Sequence, residues 1–161
     1  MEEHKSETKR VCVTGAGGFI ASWLVKLLLS KGYVVHGTLR DPSNEKNTHL
    51  KRLDKATENL RLFKADLLDY DAIVAAMSSC EGVFHVASLV ILSGITNPEV
   101  ELIRFAVVGT KNVLKACSKT NVKRVVVFSS LYAVASNPNW PQGIVMDENS
   151  WSDEEFCKAT E

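Results

Sequence analysis

Runs of β-branched and other apolar residues alternate along the chain with amphipathic stretches of helical period. Arg10–Thr14 reads as a first strand. Gly18–Lys31 follows as a helix with Ile20, Trp23, Leu24, Leu27 and Leu28 on one face and Gly32 as its stop. Tyr33–Leu39 is a second strand. Arg40–Lys46 is a polar loop in which Pro42 bars an early helix, and a short helix is expected over Asn47–Asp54. Leu60–Ala65 alternates as a third strand. Asp69 can cap a helix carrying Ile73, Val74 and Met77, and Gly82–Ala87 is a fourth strand. Asn97-Pro98-Glu99 joins a capping side chain, a first-turn proline and an acidic residue. It opens a helix to about Ser118, with Ile103, Ala106, Val107, Thr110, Val113, Leu114 and Cys117 on one face. Arg124–Ser129 is a fifth strand, so continuously apolar that cover on both faces is expected. Beyond it Asn137-Pro138-Asn139-Trp140-Pro141 is a turn-rich loop, and Asp147–Glu161 is acidic and only weakly periodic.

Strands alternating with helices imply right-handed crossovers. The fold class is α/β, a Rossmann-like doubly wound parallel sheet of spatial order 3-2-1-4-5. Its ligand crevice falls at the carboxyl ends of the first and fourth strands. Composition narrows the function classes. Lys+Arg and Asp+Glu both number 19, so nothing advertises a nucleic-acid surface or a polybasic membrane patch. No apolar run approaches the roughly 20 residues of a spanning helix, and Met1–Arg10 has no apolar core of a secretory signal. Cys12, Cys80, Cys117 and Cys157 show neither metal-ligand nor disulfide-framework spacing. They read as reduced, mostly buried thiols of a cytoplasmic protein, with no metal site.

The chemistry begins where the first strand enters Thr14-Gly15-Ala16-Gly17-Gly18-Phe19-Ile20. A glycine turn between a strand and a helix offers backbone N–H groups and a helix N-terminus to a pyrophosphate. Gly15 would make the tight turn. Gly18 would admit the pyrophosphate to the backbone, with Gly17, Phe19 and Ile20 beside it. Ala21 takes the third small position. The end of the second strand reads the adenosine ribose: a carboxylate there binds a 2′-hydroxyl, an arginine a 2′-phosphate. Arg40 stands at that point with Lys46 nearby, favouring NADP(H), although Arg40 as a solvated loop cation and the adjacent Asp41 keep the alternative open. Asp66-Leu67 follows the third strand, where the aspartate could contact adenine or cap a helix.

Several segments carry a family resemblance. They are Thr14–Ser22, Thr38-Leu39-Arg40-Asp41-Pro42, Val83-Phe84-His85-Val86-Ala87-Ser88, Gly109–Cys117, Lys123–Ser130, Asn137–Pro141 and Asp147–Asp153. Together, over nearly the whole chain beyond Lys9, they resemble the extended short-chain dehydrogenase/reductases of the plant cinnamoyl-CoA reductase and dihydroflavonol 4-reductase group, the cinnamoyl-CoA reductase-like branch most closely. The resemblance implies a polar extension over residues 1–9 and an NADP-binding domain over 10–161. It implies NADPH-dependent reduction of a small-molecule carbonyl substrate. A tyrosine donates a proton to the developing alkoxide, a lysine four residues later lowers its pKa, and a serine hydrogen-bonds the substrate oxygen. By position the serine is Ser130, with Ser129 adjacent. Val86, Ala87 and Ser88 match the segment passing along the nicotinamide half of the cofactor, and His85 reads as a core histidine.

The chain departs from that pattern. Residues four beyond Tyr33, Tyr70 and Tyr132 are Gly37, Val74 and Ser136, so no Y-x-x-x-K is present. By the family pattern the pair follows Trp151–Glu161, and the substrate-binding part lies further on. Leu89 stands where members carry proline, and Phe105-Ala106 where they carry proline-alanine. The resemblance therefore implies a C-terminally truncated Rossmann sheet. One face near its fourth and fifth strands is left uncovered, with Leu131, Tyr132 and Val134 exposed and open to self-association or a partner. A catalytically silent NADP-binding module and a non-functional truncated product remain the alternative readings.

Overall fold

The computed structural model describes residues 9–89 and 102–160. Residues up to Val127 form one compact unit and Phe128–Glu161 a second. In the first, five parallel strands pair in the order β3-β2-β1-β4-β5, the order the sequence predicts. They are β1 (Arg10–Thr14), β2 (Val34–Leu39), β3 (Leu60–Lys64), β4 (Gly82–His85) and β5 (Arg124–Val127). In β1, Cys12 pairs His36 on one side and Val83 on the other, which fixes the register at the centre of the sheet.

The strands β1 and β2 each carry two valines and β4 one, and alternate residues feed two cores. Val11, Val13, Val35 and Leu39 pack with Ala21, Val25, Leu28 and Leu29 of α1 (Phe19–Ser30) and with Leu50 of α2 (Thr48–Lys51). Cys12 and Val83, facing the other way, pack with Ile73, Ala76 and Met77 of α4 (Tyr70–Met77). Val113, Ala116 and Cys117 of α5 (Arg104–Lys119) complete that side. Full burial of each such Val, Leu or Ile contributes roughly 1.5–3 kcal/mol. The Cys12, Cys80 and Cys117 thiols lie in this second core, and no cysteine among the described residues is bridged. Burial is the largest cause raising each of their pKa values, Cys80 to about 12.

Both long helices turn only part of the predicted face to the sheet, Leu24 and Leu28 in α1 and Val113 and Cys117 in α5. In α1, Ile20, Trp23 and Leu27 are exposed, Trp23 by 59%, and Lys26 lies over the Trp23 ring at 4.8 Å. The helix is apolar on two faces, and the small Ala21 lets the other face sit close on β1 and β2. In α5, Ile103 beside its first turn, Val107 and Leu114 are exposed. Val113 and Cys117 of the predicted face are buried, joined by Gly109 and Ala116. The glycine decides this: a Cβ there would stand 2.9 Å from Leu67 Cβ. The expected opening of this helix at Asn97 lies outside the described residues. The helix expected over Asn47–Asp54 is instead a 3₁₀ turn (Glu45–Asn47) running into α2, with α3 (Ala56–Asn59) following. Against the expected cover of β5 on both faces, Val126 and Val127 are exposed, Val127 by 50%.

In the second unit the weak periodicity concealed two helices, α6 (Tyr132–Ala135) and α7 (Glu154–Thr160). Asp153 starts α7, its Oδ1 accepting the Phe156 N–H at 2.8 Å, with Glu154 and Glu155 in the first turn. Ser152 ties the unit together. Its Oγ donates to Tyr132 O at 2.6 Å and accepts the Ser136 N–H at 3.0 Å, while its N–H reaches Ala133 O at 2.9 Å. Leu131 and Tyr132 are exposed and Val134 is half-buried. No helix among the described residues is long and apolar enough to cross a membrane.

Candidate dinucleotide site

The carboxyl edge of the sheet gathers every predicted cofactor residue, because each follows a strand that ends there. Gly15 turns the chain out of β1 with φ +65°, a conformation that L side chains avoid. Its N–H donates to Thr38 Oγ1 at 3.1 Å, and the Ala16 N–H donates to Thr38 O at 3.0 Å, so β2 holds the turn. A Cβ on Gly15 would lie 3.0 Å from both Cα and Cβ of Ala87. The turn and the segment after β4 are thus in contact without room for a methyl group. At Gly17 a Cβ would run into the Asn47 side chain and stand 3.0 Å from Leu39 Cδ2.

Gly18 caps α1 with no side chain of its own, its N–H bonded to Gly15 O at 2.9 Å. The helical bonds begin with the Ser22 N–H to Gly18 O at 2.8 Å, which leaves the Phe19, Ile20 and Ala21 amides as the open end of the helix. Phe19 and Ile20 project outward, Phe19 with 81% exposure. Open amides at the positive end of the helix dipole suit an anion.

The loop after β2 lies against the glycine turn through Asn47, whose Nδ2 donates to Asp41 O at 2.9 Å. Arg40 and Lys46 are exposed on this loop. The Asp41 carboxylate is engaged locally, accepting the Ser43 Oγ–H at 2.6 Å and the Ser43 N–H at 2.9 Å. The hydroxyl bond, then the amide bond, hold its carboxyl below the usual range. Asp66 behaves similarly: its Oδ1 accepts the Leu68 N–H at 2.8 Å, the turn-forming use of that side chain. The cap of α4 is Asp69, which accepts the Ala72 N–H at 3.1 Å. Leu67 is buried against Gly109, and its carbonyl accepts from Asn112 Nδ2 at 2.9 Å, so its side chain packs the core.

After β4, Val86 and Ala87 are half-buried and Ser88 is exposed. Their amides are anchored by a residue the motif reading passed over. Thr14 Oγ1 accepts the Val86 N–H at 3.1 Å and the Ala87 N–H at 3.0 Å, and lies 2.9 Å from His85 Nδ1. His85 Nε2 in turn lies 3.1 Å from Thr110 Oγ1. His85 is buried, as a core histidine should be, and burial lowers its pKa. Thr38, Asn47 and Asn112 were also missed, since a polar residue ending an apolar strand or sitting on a helix carries no motif of its own. Ser130, in the second unit, is exposed. Its Oγ accepts the Tyr132 N–H at 3.2 Å and its carbonyl accepts the Ala133 N–H at 3.0 Å, so it turns the chain into α6. Among the described residues no group of three or more His, Cys, Asp or Glu side chains could hold a metal ion.

Residues 11–154 match the model of the NAD dependent epimerase/dehydratase family. Cinnamoyl-CoA reductase 1 of Petunia hybrida is 54% identical over 150 residues, covering 93% of this chain and 44% of that protein. Among solved structures, vestitone reductase from alfalfa superposes with a TM-score of 0.77 at 37% identity, covering 93% of this chain and 44% of its own. Gre2 from Candida albicans in complex with NADPH superposes with a TM-score of 0.74 at 33% identity, covering 90% and 44%. The chain spans less than half the length of these relatives.

Proposed function

The chain belongs to the NAD dependent epimerase/dehydratase family, and from that premise we propose that it is the NADP(H)-binding portion of a carbonyl reductase of the cinnamoyl-CoA reductase kind. The observation that carries the reading is the cradle at the end of β1. Gly15 and Gly17 let the turn pack directly on Ala87 and Asn47 where a Cβ would clash, and the uncapped start of α1 leaves its first amides open beside that turn. Such a cradle fits a pyrophosphate. The Phe19 and Ile20 amides would hold it. Arg40 and Lys46 would pair with a ribose 2′-phosphate, because Asp41 is tied to Ser43 and Arg40 is left to set the charge at the end of β2. Asp66 and Leu67 would border the adenine, Leu67 through its backbone. Val86, Ala87 and Ser88 would run beside the nicotinamide.

When bound, the dinucleotide supplies a hydride to a carbonyl carbon. In that scheme Ser130 would hydrogen-bond the substrate oxygen. The proton donor of the family, a tyrosine followed four residues later by lysine, has no counterpart in these 161 residues. For this polypeptide alone the reading is therefore a binding role, and reduction of a small carbonyl substrate belongs to a chain that also carries that pair.

Titration calorimetry with NADPH and NADH tests the cofactor assignment. NADPH is expected to bind more tightly, and Arg40→Ala to remove the difference. A charge-assisted hydrogen bond of about 1.5–3 kcal/mol corresponds to roughly a tenfold to hundredfold preference. Equal affinity for both dinucleotides in the parent chain overturns the role given to Arg40.

A further inference from the structure

A polar chain, buried at Thr14 and His85 and half-buried at Thr110, crosses the first unit behind the cradle and joins β1 and β4 to α5. Its proton arrangement follows from valence. A threonine hydroxyl has one O–H and two lone pairs. Thr14 Oγ1 receives two backbone N–H groups, from Val86 at 3.1 Å and Ala87 at 3.0 Å. Its own O–H is then directed at His85 Nδ1, 2.9 Å away. Nδ1 must be the unprotonated nitrogen, and Nε2–H donates to Thr110 Oγ1 at 3.1 Å. Thr14 and His85 are both buried, so no solvent competes for these groups. If Nδ1 carried the proton, the Thr14 hydroxyl would turn, and one backbone amide would lose its acceptor. The amides concerned belong to the segment whose Ala87 touches the place where a Gly15 Cβ would stand.

We propose that His85 is a positioning residue for the dinucleotide. Acting through Thr14, it holds the Val86–Ser88 segment at the separation from the Gly15 turn that the cofactor requires. This rests on the cofactor reading above. His85 itself touches no cofactor in the scheme. Its unprotonated Nδ1 fixes the rotor of Thr14, and Thr110 fixes the tautomer of His85, so α5 holds the setting from behind.

Two substitutions divide the imidazole. His85→Asn retains a polar group at the δ position that can accept from Thr14. His85→Gln retains one at the ε position that can donate to Thr110 and leaves Thr14 without its acceptor. Three measurements on the 161-residue chain are compared: thermal midpoint, amide exchange of Val86 and Ala87, and calorimetric affinity for NADPH. His85→Asn is expected to keep both amides protected and NADPH affinity within about threefold of the parent. His85→Gln is expected to expose the amides and weaken NADPH by about tenfold, the scale of one lost buried hydrogen bond. Affinity losses that are equal in the two variants, or that follow only their thermal midpoints, overturn the proposal. A parent chain that binds neither NADPH nor NADH overturns the cofactor reading, while unchanged amide protection in His85→Gln overturns the positioning role separately. Should both variants fail to fold, the ¹⁵N spectrum of the parent imidazole decides: the proposal requires a bare Nδ1 and a protonated Nε2, and the opposite tautomer refutes it.

Discussion

Replacing Gly15 with alanine separates the two demands that the turn makes on its residue. The first is conformational: φ +65° costs an L residue roughly 1–2 kcal/mol. Reduced freedom of the unfolded chain returns about 0.4–1 kcal/mol of that. The second is steric. The new Cβ would stand 3.0 Å from Ala87 Cα, a backbone atom that cannot rotate away. Its N–H is moreover anchored on Thr14. Overpacking of this kind costs about 1–3 kcal/mol. The sum is a loss of about 1–5 kcal/mol. Gly32 supplies the control, because it has φ +80° with nothing within 4 Å of its Cβ position, so Gly32→Ala meets the conformational demand alone. Urea unfolding followed by far-ultraviolet circular dichroism measures both variants, with the slope checked for constancy. Gly15→Ala is expected to lose about 1–3 kcal/mol more than Gly32→Ala, or roughly 2–4 °C of melting temperature per kcal/mol. Equal losses would refute the claim that the segment after β4 is pressed against the glycine turn.

Removing the α4 cap by Asp69→Ala is expected to cost about 1 kcal/mol in the same urea assay, with Asp69→Asn recovering most of it. Stability should fall on acidification below pH ~6.5. Burial is the largest cause lowering the folded-state pKa of both His36 and His85. The unfolded chain therefore takes up more protons in the interval down to those lowered values, and the loss levels off below them. Urea midpoints between pH 8 and pH 5 check this, and a midpoint that rises as pH drops through the interval contradicts it. Without a Y-x-x-x-K pair, the 161-residue polypeptide is expected to turn over no hydroxycinnamoyl-CoA ester, aldehyde or dihydroflavonol in an NADPH-consumption assay. Turnover above a no-enzyme control contradicts that reading.

The backbone of the first unit was legible because its signals are local. A valine-rich run ending in Thr14-Gly15 and a stop at Gly32 fix β1, α1 and the start of β2 to within a residue. Sheet order followed from alternation alone. The buried faces of α1 and α5 were legible only in part, at Leu28, Val113 and Cys117. Both helices carry more apolar residues than one face can bury, and tertiary fit at Ala21 and Gly109 made the choice. The end of the chain misled for a different reason: α7 is short and acidic, so its apolar period is faint, although Asp153-Glu154-Glu155 is a readable start. In the candidate site the glycines announced themselves through backbone need. Thr14 and Thr38 shape the same site through side-chain bonds to main chain distant in sequence, and Asn47 through its packing against Gly17, which no spacing reveals.

The thiols tucked under α4 and α5 give the chain an internal record of its own opening. A cysteine alkylates as its thiolate, so Cys12, Cys80 and Cys117, buried and held protonated, are closed to a reagent while the sheet is intact. Cys157, half-buried on α7, belongs to the second unit. Mass-resolved alkylation over time therefore reads the two units separately on one polypeptide, with no label added. When reclosing outpaces the reagent, the rate at the three core positions reports the free energy of opening; with a faster reagent it reports the opening rate itself.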